Sequence, residues 1–166
     1  MFAEMTDNYV KGVNMKYLYV FLISMLPIIE LRGAIPVGTA LGLPWWINYM
    51  LCTIGNMLPV PLILIFIERC LQWMKHFEFT KKFAIFLEEK ATKHKDAVTK
   101  YATWGLLLFV AIPLPGTGAW TGTLVAALIK MNKKKALLSV LGGVLVAGGI
   151  VTLISYGVLG FLSFLL

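Results

Sequence analysis

Pro27-Ile-Ile-Glu30-Leu-Arg32-Gly33-Ala-Ile-Pro36 sits in the middle of an apolar segment and interrupts it. It puts a carboxylate and a guanidinium two positions apart, with 13 residues of near-continuous apolar sequence before it (Tyr17 to Ile29) and a shorter apolar run after it (Ala34 to Leu43). Thirteen residues make a helix of about 20 Å, too short for a hydrocarbon core of about 30 Å. Two half-length runs around a charged break suit a hairpin that enters a membrane and turns back. Non-helical backbone at that depth survives only when it is packed in protein or lines a wet cavity.

A second stretch has the same design. Pro113-Leu-Pro115-Gly116-Thr117-Gly118-Ala-Trp120-Thr121-Gly122 breaks the run from Tyr101 to Ile129, which carries no charge. Composition agrees with a membrane setting. The 166 residues are 59% hydrophobic with a mean hydropathy of +0.82, where soluble domains are about 45–50% apolar. A chain of this size is one membrane domain, 1–166.

Charge placement orients it. Of the 15 Lys and Arg, 8 lie between Arg69 and Lys100 and 4 between Lys130 and Lys135. Both clusters face the cytoplasm by the positive-inside rule. A hairpin over 101–130 then begins and ends on one side. Trp45 to Ile67 reads as a full span, within a helix over 45–71, opened by Pro44 and an interfacial Trp pair and kinked by Pro59 and Pro61. Asn56 inside it is either a helix–helix hydrogen bond or a cavity-lining group. A second span covers 136–164. On it Ser139, Gly143 and Ala147 form a small-residue face for another helix, from this chain or from a second copy in a homodimer.

Residues 72–100 form an amphipathic linker in the cytoplasmic interface, with Phe79, Phe83, Phe86 and Leu87 on one face. Its interspersed acids argue against nucleic acid and favour lipid headgroups. Residues 1–16 are a polar surface segment. The apolar run that follows imitates a signal peptide, but Glu30 and Arg32 stand where a small-residue cleavage site belongs.

The expected fold is therefore an all-α integral membrane protein: an inverted repeat of re-entrant hairpin (17–43, 101–130) plus transmembrane helix, joined by an amphipathic interfacial linker. Secondary transporters built this way place their sites at the midplane, where interrupted helices meet.

Intramembrane ionisable groups are costly and mark sites. Glu30, under the opposed influences of burial and of Arg32, suits a carboxylate that exchanges a proton. Arg32 suits an anionic group or a counter-charge. Helices starting after Gly33 and after Gly118 aim their N-termini at the tips. Thr117, Thr121 and Thr123 add hydroxyls. The candidate substrate- and ion-binding set is Glu30, Arg32, Gly33, Pro36, Asn56, Pro113, Pro115, Gly116, Thr117, Gly118, Trp120 and Thr121. Cys52, Cys70, His76 and His94 have no metal-ligand or redox spacing. The sequence calls for no metal or cofactor and presents no catalytic constellation, so no enzymatic activity is expected.

On Glu30-Leu-Arg32-Gly33-Ala-Ile-Pro36 and Pro113-Leu-Pro115-Gly116-Thr117-Gly118-Ala-Trp120-Thr121-Gly122, with Gly55-Asn56 and Pro59, the chain resembles the small multidrug export protein family from about residue 17 onward. More distantly it is similar to the DedA (SNARE-associated, VTT-domain) membrane proteins, which also carry an acidic residue at one re-entrant tip and Pro-Gly at the other. The resemblance implies a multi-pass transporter of a prokaryotic plasma membrane that exports small, drug-like organic substrates. The DedA likeness implies proton-dependent handling of lipid carriers such as undecaprenyl phosphate. After Pro115-Gly116 this chain has Thr-Gly-Ala-Trp, where DedA proteins carry an arginine. A non-transporting membrane adapter is the reading from a different class.

Overall fold

The computed structural model describes residues 14–74, 95–114 and 116–165, with side chains over 14–66, 101–114 and 116–158. Most of the expected linker over 72–100 lies outside the described residues. So do His76, His94, Pro115 and the chain up to residue 13, and the side chain of Cys70 is not among those described.

All regular structure among the described residues is helical. Helix α1 covers residues 14–24. It is followed by α2 (Glu30–Ala40), α3 (Trp45–Met57) and α4 (Pro59–Met74). Helix α5 is Lys95–Ala111, so the tail of the expected linker belongs to a helix that runs on into the next apolar run. Helices α6 (Ala119–Leu128) and α7 (Lys133–Leu165) complete the chain.

Among the described residues, two stretches are long and apolar enough to cross a membrane: Trp45–Phe66 (22 residues, hydropathy 1.8) and Lys133–Val158 (26 residues, hydropathy 2.4). The first is not one helix. It breaks at Leu58, because Pro59 cannot donate to the Gly55 carbonyl nor Pro61 to that of Met57. The second starts at Asn132, whose Oδ1 accepts from the backbone N–H of Lys134 at 3.0 Å and of Lys135 at 3.4 Å, a side-chain N-cap.

Large apolar side chains line the outside of these helices, and polar ones are buried inside beside small apolar ones. On α3 the exposed residues include Trp45, Trp46, Met50 and Ile54, while the buried ones are Asn48, Cys52, Thr53, Gly55 and Asn56. On α7 Leu138, Leu153 and Ile154 are exposed, and Ser139 and Thr152 are buried. Apolar side chains facing out and polar ones facing in are what a hydrocarbon solvent dictates.

The chain divides into two units. Residues 1–56 and 147–166 form one, and 57–146 the other. In the first, α1 and α2 are joined by a tight turn, and α2 returns to α3 through residues 41–44. A Cβ on Gly55 would stand 2.8 Å from the Phe21 carbonyl and on top of Ser24 Oγ, so the missing side chain lets α1 lie directly on α3. In the second, α6 packs against α4 and α5. A Cβ on Gly143 would stand 2.8 Å from the Leu107 carbonyl and 2.6 Å from Val110 Cβ, so α5 lies directly on α7. The small-residue face is thus covered at Gly143 by the chain's own α5, and Ser139 is buried. Ala147, in the other unit, is also buried.

The two returns are alike in detail. After α2, Leu41 N–H donates to Val37 O, Gly42 N–H to Thr39 O and Leu43 N–H to Gly38 O, each at 3.0 Å. After α6, Ile129 N–H donates to Val125 O and Lys130 N–H to Ala127 O, both at 3.0 Å, and Met131 N–H to Ala126 O at 2.9 Å. Gly42 (φ 74) and Lys130 (φ 52) are left-handed at the same place in each turn. This is the Schellman-type end of a helix.

Candidate functional site

Helix α2 begins at Glu30, not after Gly33 as the breaker pattern suggests. Gly33 and Pro36 are inside the helix. Pro36, the seventh of the eleven residues of α2, cannot donate to the Arg32 carbonyl. Glu30 and Arg32 therefore stand on the first turn, immediately after the turn over residues 25–29. Glu30 N–H closes that turn on the Leu26 carbonyl at 2.9 Å.

Glu30 is 5% exposed and left-handed, with φ 50. An L-residue in that region costs about 1–2 kcal/mol, and such strain persists only where its surroundings impose it. Arg32 is half-buried and within Coulombic reach of Glu30. Around them the turn is apolar, and Ile28 is 94% exposed. A buried carboxylate beside a guanidinium, on strained backbone in an apolar turn, is the most chemically specific feature among the described residues.

Below it a polar network holds α2 to its neighbours. Asn48 is fully buried. Its Nδ2 donates to the Ile35 carbonyl at 2.8 Å and to Tyr156 Oη at 3.0 Å, with Thr39 Oγ1 at 3.4 Å. Tyr156 Oη donates to the Leu43 carbonyl at 2.7 Å. Cys52 Sγ donates to Asn48 Oδ1 at 3.4 Å. One amide thus ties α2, α3 and α7 together, and Gly38 makes the room, since a Cβ there would overlap the Asn48 amide. The sequence pattern missed this network. An Asn inside a span was a signal for Asn48, but nothing in the pattern marked Tyr156.

Asn56 contrasts with it. It is 1% exposed, and neither Oδ1 nor Nδ2 has a hydrogen-bond partner. Of the two roles expected for Asn56, the helix–helix bond is made by Asn48 instead.

The second interrupted stretch, in the other unit, uses its polar groups on itself. Thr117 Oγ1 donates to the Ile112 carbonyl at 2.8 Å and lies 3.0 Å from the Leu114 carbonyl. Thr123 Oγ1 donates to the Ala119 carbonyl. Gly116 has φ 87, and Gly118 is the extended N-cap of α6 without a side-chain cap. Pro113, Trp120 and Thr121 are half-buried. No cluster of metal-ligating side chains occurs among the described residues.

These features define a helical membrane protein with two apolar spans and a buried charged turn. The family model described as "Putative small multi-drug export protein" matches residues 30–150, and the chain belongs to that family. No curated protein and no solved structure matches it.

Proposed function

We propose that this small export-family membrane protein is a proton-coupled secondary transporter that moves small organic cations. The carrying observation is Glu30: a carboxylate 5% exposed, held on left-handed backbone beside Arg32 in an otherwise apolar turn. A carboxylate there trades a proton for a cation, because the apolar surroundings disfavour an unpaired charge and accept either neutral form. Arg32 is the counter-charge. The turn at Pro113–Gly122 is a gate, and its self-satisfied hydroxyls suit a structural closure.

The two matched helix–turn–helix segments, with equivalent left-handed turns at Gly42 and Lys130, support a repeat. Basic clusters border the second segment on both sides, while the first is preceded by Lys11 and Lys16 alone; that imbalance supports its inversion. In this reading the substrate path passes the Glu30 turn, in a prokaryotic plasma membrane with the linker over 72–100 on the cytoplasmic side.

Arg32 supports a second substrate class. A half-buried guanidinium at a helix start recognises a phosphate, which fits an anionic lipid carrier such as undecaprenyl phosphate.

The test uses proteoliposomes with an imposed pH gradient, wild type beside Glu30→Gln. Gradient-driven uptake of a cationic dye, lost in Glu30→Gln while the variant still inserts, is the expected result. Translocation of labelled undecaprenyl phosphate with no dye movement transfers the reading to the lipid class. Neither activity in inserted protein leaves a membrane adapter. Full transport by Glu30→Gln removes the coupling role.

A further inference from the structure

Within the first unit, the interior of α3 offers two buried asparagines in opposite states. Asn48 is fully bonded and Asn56 has no partner for either amide atom. Leaving a buried amide unbonded costs roughly 2–7 kcal/mol by transfer data. Asn56 is 1% exposed, so neither bulk lipid nor a second copy of the chain supplies its partner.

Depth says what is nearby. Asn48 lies level with Ile35 and Thr39 on α2, whose carbonyl and hydroxyl it bonds. From there α3 climbs about 12 Å to Asn56 at the helical rise, while α2 climbs about 8–13 Å to Glu30. Independently, Gly55 rests on Ser24 and Phe21, at the end of α1 where the chain enters the turn to Glu30. By this rise Asn56 and the buried carboxylate stand at about the same depth, near the middle of the span Trp45–Phe66. Neighbouring Gly55 adds a carbonyl that Pro59 cannot serve. At the corresponding place after the second turn stands Val144, fully buried and apolar, beside Gly143. The position packs well without an amide, so packing alone does not call for one.

We infer that Asn56 binds an ordered water at the depth of Glu30, and that through this water the carboxylate exchanges its proton. Both atoms of the amide need a partner that donates and accepts, and water does both. A proton leaving Glu30 goes to the water oxygen as one of the water's own protons leaves toward the aqueous side, so the water is regenerated. The inference deepens the proposed function and rests on Glu30 being the group that exchanges a proton. Asn56 acts through the water and is a positioning residue.

The experiment is water-edited solid-state NMR on the full chain in lipid bilayers. The Glu30 carboxyl signal is assigned by its loss in Glu30→Gln, and the Asn56 amide by its loss in Asn56→Val. Magnetisation from water is expected to reach the Asn56 side-chain nitrogen and the Glu30 carboxyl of the wild type at mixing times when buried Leu31 and Val60 are still dark. In Asn56→Val the transfer to Glu30 falls several-fold, and in Asn56→Ser it recovers. No transfer to the Asn56 amide in wild type overturns the inference, whatever the variants do. Transfer to Glu30 unchanged in Asn56→Val overturns the link between them. Full transport by Glu30→Gln is a separate failure: it removes the coupling role and leaves a water at Asn56 standing.

Discussion

A glutamate at φ 50 has its Cβ crowded against its own backbone, and glycine does not. This makes the strain at Glu30 measurable apart from its charge. Glu30→Ala and Glu30→Gly both delete the carboxylate and differ by one methyl. In an ordinary helix the alanine variant is the more stable, by up to about 1 kcal/mol. Here the order reverses, with Glu30→Gly more stable than Glu30→Ala by about 1 kcal/mol in reversible detergent unfolding. Both lose gradient-driven transport. Equal stabilities, or the usual order, would mean that the left-handed turn is not kept when the carboxylate goes. The charge pair itself was legible in the sequence, because two ionisable residues in an apolar run can hardly be overlooked. The backbone strain was not. A left-handed residue is expected at Gly or Asn, and Gly33 drew that expectation while α2 had already begun at Glu30.

At the scale of elements, the contacts that matter are backbone approaches and one amide. A Cβ at Gly143 meets a carbonyl oxygen at 2.8 Å and one at Gly55 meets another at the same distance, and neither carbonyl can swing aside. Gly55→Ala and Gly143→Ala should each cost about 1–3 kcal/mol, whereas Gly149→Ala, with nothing within 4 Å, should be neutral or slightly stabilising. Loss of stability at Gly149 equal to that at Gly143 would refute close approach as the cause. The Asn48 network gives a second measurement. Asn48→Ala and Tyr156→Phe, taken singly and together, should show a coupling of about 0.6 kcal/mol; strict additivity would mean that the 3.0 Å bond carries no stability. Helix lengths and the break before Pro59 were readable, since apolar run length and proline act locally. Which asparagine bonds and which is left open was not, because that depends on where α2 and α7 lie against α3. The same limit hid the fate of Thr117 and Thr123. They read as hydroxyls for a ligand and are spent on carbonyls of their own segment.

Across the whole chain, the strongest sequence signal is charge segregation, and the proposed topology rests on it. Lys133, Lys134 and Lys135 occupy the first turn of α7, where the helix dipole disfavours cations. All three are exposed, and Asn132 supplies the cap that they cannot. Helix stability does not explain lysines there; attraction to a negatively charged membrane surface would. If residues 130–135 are cytoplasmic and the span Trp45–Phe66 crosses once, the turn over 41–44 is on the far side. A single crossing between two similar hairpins then inverts one relative to the other. Two exposed positions outside the strained turns report this: Pro44 and Lys135. In right-side-out membrane vesicles of a Cys70→Ser background, a membrane-impermeant maleimide should label Pro44→Cys and spare Lys135→Cys until the vesicles are opened; the remaining Cys52 is buried and gives little background. Labelling of both from the same side would place the two turns on one face of the membrane. The proposed inverted repeat would then have no structural basis.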